Sequence, residues 1–177
     1  MDPLELAAPG LLLRPWREED APAVLDALRE PAIARWNPHA GPLDRETALN
    51  WVRRRADWSA GDHVSLAVVD PAALGTLLGS VSLHRIHDGD ASIGYWTVAG
   101  ARGRGVASGA VIRLTGWGFA ELGLHRIELC HAVANPGSCR VAERAGYRAE
   151  GTLRESYRYG DGRRHDEHLH ARLATDR

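Results

Sequence analysis

Lysine is absent from the chain: all 22 basic residues among its 177 are arginine. That excludes a Walker-type phosphate loop, a Schiff-base enzyme and a lysine nucleophile. Cysteine is scarce. Cys130 and Cys139 make no disulfide framework, and two thiols alone do not complete a structural zinc site. They read as small buried hydrophobes in a reducing compartment. Charge of one sign is lacking too. A net charge of -1 offers no basic field for nucleic acid or an anionic membrane. Long apolar runs are missing: the longest stretch without charge or histidine is the 13 residues from Pro71 to Leu83, too short to span a bilayer. The acidic start, Met1-Asp2-Pro3-Leu4-Glu5-Leu6, has no basic segment of a secretory signal. The expectation is one cytoplasmic domain over residues 1–177, monomer or homodimer, with a core large enough to need no staples.

Leu11 to Pro15 reads as a first strand ended by Pro15. Glu18-Glu19-Asp20 opens a helix with Ala21, Val24, Leu25 and Leu28 at helical spacing, closed by Pro31. Pro38, Gly41 and Pro42 mark a loop. A second helix runs from Asp44 to Gly61 with Trp51 on its apolar face. Three strands follow, at His63 to Val69, Gly75 to Leu83 and Ala91 to Val98, with turns at Asp70-Pro71 and Asp88-Gly89-Asp90. Val106 to Leu122 reads as a helix capped by Gly123. Then come a strand at Ile127 to Val133, a helix from Pro136 to Ala145, and strands around Leu153 to Tyr159 and Glu167 to Leu173. This order is α+β around one mixed sheet.

The strongest local signal is the strand Tyr95-Trp96-Thr97-Val98 feeding Arg102-Gly103-Arg104-Gly105-Val106-Ala107 and then a helix. Glycines let backbone approach a ligand, and free first-turn amides with the helix dipole make a pyrophosphate site. Arg102 and Arg104 would add charge at its mouth. A dinucleotide fingerprint fails because Ser108 stands where its third glycine belongs.

These residues resemble the GNAT superfamily of acyl-CoA N-acyltransferases, whose R/Q-x-x-G-x-G/A loop holds the coenzyme A pyrophosphate. Asn135-Pro136-Gly137-Ser138 and Glu143-Arg144-Ala145-Gly146-Tyr147 are similar to the N-x-x-S…E-[KR]-x-G-[FY] signature of the RimJ/RimL-like branch, the ribosomal-protein N-terminal acetyltransferases. The resemblance implies a mostly antiparallel seven-stranded sheet with helices on both faces. It implies that the family's fourth and fifth strands, here Ala91 to Val98 and Ile127 to Val133, splay apart as a parallel pair. The pantetheine arm of acetyl-CoA would pair with main chain at Trp96, Thr97 and Val98, with an oxyanion donor near Val98. Asn135 would bond the arm, Ser138 would protonate the leaving thiolate, and Arg140 and Arg144 would reach the 3′-phosphate. No metal is implied.

Relatives commonly carry a glutamate base where this chain has Ser92. Ser92 cannot take a proton at neutral pH. Freeing a lysine side chain of its proton at pH 7 costs about 4.6 kcal/mol, but an α-amine only about 1 kcal/mol. The acceptor expected is therefore an N-terminal α-amine of a protein or peptide. A small-molecule amine (an antibiotic or polyamine) and a non-catalytic acyl-CoA sensor are the alternatives. His84 and His131 are the substitute bases; Glu128 is read as structural. Trp36, in a proline-rich loop, and Tyr95 are expected at the acceptor, and Trp51 in the core. In the run from His165 to His170, Asp166, His168 and His170 share one face of a strand, the pattern of a metal site.

Overall fold

The computed structural model describes residues 4–37 and 43–176. The loop expected at Pro38, Gly41 and Pro42 lies outside them. Eight strands form one sheet: β1 (Leu6–Ala8), β2 (Leu11–Pro15), β3 (His63–Asp70), β4 (Ala73–His87), β5 (Asp90–Thr97), β6 (Arg126–Ala132), β7 (Arg148–Arg158) and β8 (Arg164–Leu173). Their order is β1-β2-β3-β4-β5-β6-β8-β7. Five α-helices accompany them: α1 (Ala21–Arg29), α2 (Pro31–Trp36), α3 (Arg45–Ala56), α4 (Val106–Glu121) and α5 (Pro136–Arg144). Among the described residues no helix is long and apolar enough to cross a membrane.

Strand periodicity sorts the core into two layers. Leu66 and Val68 turn to one face of the sheet, with Val111 and Leu114 of α4 and Ala142 of α5. Ala67 and Val69 turn to the other, with Val24 of α1 and Trp51 and Val52 of α3. Trp16 packs edge-on against Trp51 there, and Trp96 closes the cluster. Trp51 is thus core, as its spacing predicts.

Two elements differ from the sequence reading. The sheet has eight strands, not seven, because Leu6–Ala8 folds back on β2 through a turn at Gly10, whose φ is +69°. Pro31 does not only end a helix. It also starts α2, whose free first amide makes proline harmless at that position. Trp36 consequently ends a helix and does not sit in a loop.

One feature of the sheet makes room for a site. Every neighbouring pair is antiparallel except β5 and β6, which run parallel and pair only at Asp90–Ser92 against Arg126–Glu128. Beyond Ser92 the two strands diverge. The expected splay is present, and it opens in the middle of the sheet.

Candidate active site

Cavities lie on both faces of the splay and share Ile93, Gly94, Tyr95, Trp96 and Cys130 at its centre. One, of about 500 Å³, lies on the α4/α5 face; the other, of about 790 Å³, lies on the α1/α3 face.

The first is lined by the starts of two helices, α4 and α5, whose caps differ from each other and from that of α3, which lies outside the lining. Asp44 caps α3 by accepting the Thr47 amide at 2.7 Å, and Asn135 caps α5 by accepting the Ser138 amide at 3.3 Å. Gly105 caps α4 in the left-handed conformation, φ +80°, and has no side chain to offer. The first-turn amides of α4 therefore keep no side-chain partner, and no acidic residue follows to neutralise the dipole. Arg102, Gly103, Gly105, Val106 and Ala107 line the cavity.

Of the surrounding arginines expected at the site, Arg102, Arg140 and Arg144 line the cavity and Arg104 does not. Arg102 pairs with Glu30 at 2.5 Å and donates to the Thr97 carbonyl at 3.1 Å, so it braces the loop against the α1–α2 turn. Arg104 is exposed and outside the cavity lining. Arg140 and Arg144, both exposed, do line it.

Val98 is not an available donor: its amide bonds the Leu78 carbonyl at 3.0 Å. Alternate residues of a strand turn their amides to opposite neighbours. Since Val98 faces β4, the amides of Thr97 and Tyr95 face the gap that β6 vacates. The backbone open to an extended ligand is therefore Tyr95 and Thr97.

Ser138 stands in the first turn of α5. Its Oγ accepts from the Tyr95 phenol at 2.9 Å and from Asn135 Nδ2 at 3.3 Å. Both lone pairs are thereby used, leaving the hydroxyl proton free to be donated. Asn135 spends its side chain on this serine and on the helix start. Tyr95 lines both cavities, the acceptor cavity expected from the sequence included, and its phenol reaches the α5 face. Burial pushes its phenol up to about 12, so it stays protonated.

The second cavity is lined by Trp36, Trp51, Trp96, Tyr157 and Tyr159, with Arg55, Arg85, Glu128 and Glu167 as its charges. Ser92 accepts from Arg85 at 2.7 Å. His84 lines this cavity, and burial followed by the Arg85 and Arg55 charges brings its imidazole down to about 4. His131 is on the opposite face: Nδ1 faces the Ala132 carbonyl at 2.9 Å and Nε2 faces His170, so it does not serve the acceptor side. Glu128, read from sequence as structural, does face the acceptor cavity, paired with Arg126 at 3.0 Å. Cys130 sits where the cavities meet, and burial pushes its thiol up to about 11, which leaves it unreactive.

Glu167 was missed. It is buried, lines the acceptor cavity and accepts from the Tyr159 phenol and the Ser156 hydroxyl, both at 2.7 Å. Its signal lay in the strand alternation: Glu167 faces away from Asp166, His168 and His170. The roof above it depends on Gly160, whose amide bonds the Arg35 carbonyl at 2.9 Å so closely that a Cβ would strike the Ala34 carbonyl.

Residues 10–148 match the sequence model of a family described as Acetyltransferase (GNAT) domain. The chain is 36% identical over 133 residues to the "Putative ribosomal N-acetyltransferase YdaF" of Bacillus subtilis (strain 168), covering 73% of this chain and 69% of that protein. Among solved structures, a GNAT-family acetyltransferase from Bacillus anthracis superposes with a TM-score of 0.85 at 25% identity, covering 98% of this chain and 100% of that one. RimJ of Mycobacterium smegmatis, solved in complex with CoA-disulfide, does so with a TM-score of 0.81 at 25% identity, covering 97% of this chain and 87% of that one.

Proposed function

The chain belongs to the GNAT acetyltransferase family, and on that premise we propose that it moves the acetyl group of acetyl-CoA to the N-terminal α-amine of a protein or peptide. The observation that carries the reading is the pair of cavities meeting at Tyr95 and Cys130, one for each substrate of a direct transfer. In this reading residues 1–177 act as one domain in the cytoplasm, and the single sheet with strands from Leu6 to Leu173 supports the one domain.

The donor occupies the α4/α5 side. Its pyrophosphate accepts from the open amides at the start of α4, and its pantetheine pairs with the Thr97 amide. RimJ, the structural neighbour, was solved with a CoA-disulfide, which supports CoA as the donor's carrier. Acetyl transfer then runs in one step without a covalent enzyme intermediate. The amine nitrogen bonds the acetyl carbon, the carbonyl oxygen gains charge, and the carbon–sulfur bond breaks. The Tyr95 amide, turned to the gap where the two cavities meet, is the donor for that oxygen. The departing thiolate takes the proton of Ser138, whose other bonds come from Tyr95 and Asn135.

The attacking nitrogen must arrive neutral and lose a proton after attack. Ser92 is held by Arg85, and the His84 imidazole is too acidic in its protonated form to draw a proton from an ammonium. A cation such as Arg85 also disfavours a neighbouring ammonium. Both points favour an acceptor whose neutral form is already common at pH 7. We assign the proton after attack to Glu167, the buried carboxylate of the acceptor cavity. The name of the Bacillus subtilis relative supports a ribosomal protein as acceptor.

The test compares two peptides at pH 7. One has a free N-terminus and no lysine; the other has a blocked N-terminus and one lysine. The proposal expects the first to be acetylated at least about 100-fold faster, in line with the roughly 3.6 kcal/mol separating the two amines' neutral forms. Equal rates would overturn it.

A further inference from the structure

Three imidazoles and a thiol converge on the sheet beneath α5. β6 and β8 pair antiparallel with His131 opposite His168, so these side chains leave the same face. His170, two positions further along β8, shares that face. Cys139 reaches down from α5. One nitrogen or sulfur atom from each of the four lies within 4.8 Å of the others. His131 and His170 are buried, and His168 and Cys139 are half-buried. Asp166, which the sequence pattern grouped with His168 and His170, instead accepts the Glu155 amide at 2.8 Å and stands outside the cluster.

One distance inside the cluster matches a tetrahedral centre, and the others lie within 4.8 Å. Nε2 of His131 and Nε2 of His170 are 3.3 Å apart. Two nitrogens bound to one tetrahedral zinc, each at about 2.0–2.1 Å, are separated by about 3.3 Å. The Nδ1 of His131 is 2.9 Å from the Ala132 carbonyl. That bond places the proton on Nδ1 and leaves the Nε2 lone pair facing inward, as backbone carbonyls do for metal-bound histidines.

His170 is the second sign. Its Nδ1 is buried and has no hydrogen-bond partner among the described residues. A proton on Nδ1 would set two Nε2 lone pairs against each other at 3.3 Å. A proton on Nε2 would leave a bare lone pair at Nδ1. A cation held by both Nε2 atoms makes the facing lone pairs of the first arrangement bonding, with the His170 Nδ1 proton left without an acceptor among the described residues.

We propose that His131, Cys139, His168 and His170 bind one zinc ion, tying the first turns of α5 to β6 and β8. Three imidazoles and one thiolate suit zinc, and four protein ligands close the site as in structural centres. Cys139 now donates weakly to Glu143 at 3.7 Å and gives up that proton on binding. The consequence reaches the acetyl-transfer site, because Cys139 follows Ser138 on the same helical turn.

The full chain, treated with chelator and dialysed, is titrated with zinc and separately with cobalt(II). One equivalent of zinc should bind with a submicromolar Kd and raise Tm by several degrees. Cobalt should give the intense visible bands of tetrahedral coordination and a sulfur-to-cobalt band in the near ultraviolet. Cys139→Ser should lose the sulfur band; Cys130→Ser, on the opposite face, should keep it. His168→Ala should weaken zinc at least about tenfold, with circular dichroism confirming that each variant is folded. A pale octahedral cobalt spectrum, or zinc affinity and Tm unchanged in both Cys139→Ser and His168→Ala, would overturn the site. These readouts need no acetyl transfer, so they stand apart from the function proposed above.

Discussion

The phenol of Tyr95 donates to Oγ of Ser138 at 2.9 Å, joining β5 to α5 across 43 positions of sequence. The contact bridges the splay at the point where the two cavities meet. It ranks the effects of removing each partner. Ser138→Ala removes the proton donor and should lower kcat about 10²–10³-fold, within the range for general acids. Tyr95→Phe removes only the bond that aims the serine and should lower kcat about tenfold. KM for acetyl-CoA should move less than threefold in either, and steady-state kinetics with a fixed peptide acceptor measures the split. A thioester with a better leaving thiol should recover more of the Ser138→Ala rate than of the wild-type rate, since its thiolate needs the proton less.

Glu167 accepts from two neutral hydroxyls, whereas Glu128 is paired with an arginine. A proton on Glu128 would weaken its ion pair with Arg126, whereas a proton on Glu167 breaks no ion pair among the described residues. Glu167→Gln keeps the shape and the bond to Tyr159 and should lower kcat about 10²-fold. Glu128→Gln should change kcat less than threefold. A reversed order, read from the same assay at pH 7, would move the base to Glu128.

His84 makes stability depend on pH. Its imidazole lies at about 4 in the fold, below its ordinary value of 6.5, because burial disfavours the cation. The unfolded chain therefore binds more protons than the folded one between these values. Stability is fully present above pH 6.5 and is lost as pH falls toward 4. The full loss is at most roughly 3 kcal/mol from this residue. His84→Asn should flatten the fall in Tm between pH 6.5 and 4 relative to wild type. The same variant should leave the pH–rate profile near pH 6.5 unchanged, since His84 does not titrate there.

The legible parts of the molecule are those whose residues are neighbours in sequence. The Gly103–Gly105 turn and the α4 start could be read because strand, glycines and helix follow one another within a dozen positions. The Asn135 cap and Ser138 lie three apart on one helical turn and were equally plain. The bracing role of Arg102 was not legible because its partner, Glu30, lies 72 positions away. Val98 was misread because alternation in a strand says which residues share a direction but not which neighbour they face. That choice is made by β4 pairing, through the Leu78 carbonyl. The strand β1 has three residues, too few for a period of two to register, and its contacts with β2 and α4 hold it. Pro31 carries two meanings, an end and a beginning, and only the packing of Ile33 into the α1/α3 core selects the second.

Two glycines near Arg102, Gly100 and Gly105, separate a pyrophosphate role from simple loop flexibility. Gly105 has φ +80° and caps α4, but a Cβ there would meet nothing nearer than Ser108 Oγ at 4.0 Å. Gly100 has no such backbone conformation, and a Cβ there would meet nothing within 4 Å. Space is therefore equal at both, and only the backbone differs. Alanine at 105 is strained by roughly 1–2 kcal/mol in the left-handed region. The chain relieves that strain by turning the first-turn amides of α4 away from their present direction. If those amides hold the donor's pyrophosphate, Gly105→Ala should raise KM for acetyl-CoA about tenfold while kcat at saturation falls less than twofold. Gly100→Ala should change neither. Calorimetry with CoA should show the same tenfold loss for Gly105→Ala alone. Equal affinity in the two variants would mean that the helix start does not touch the donor.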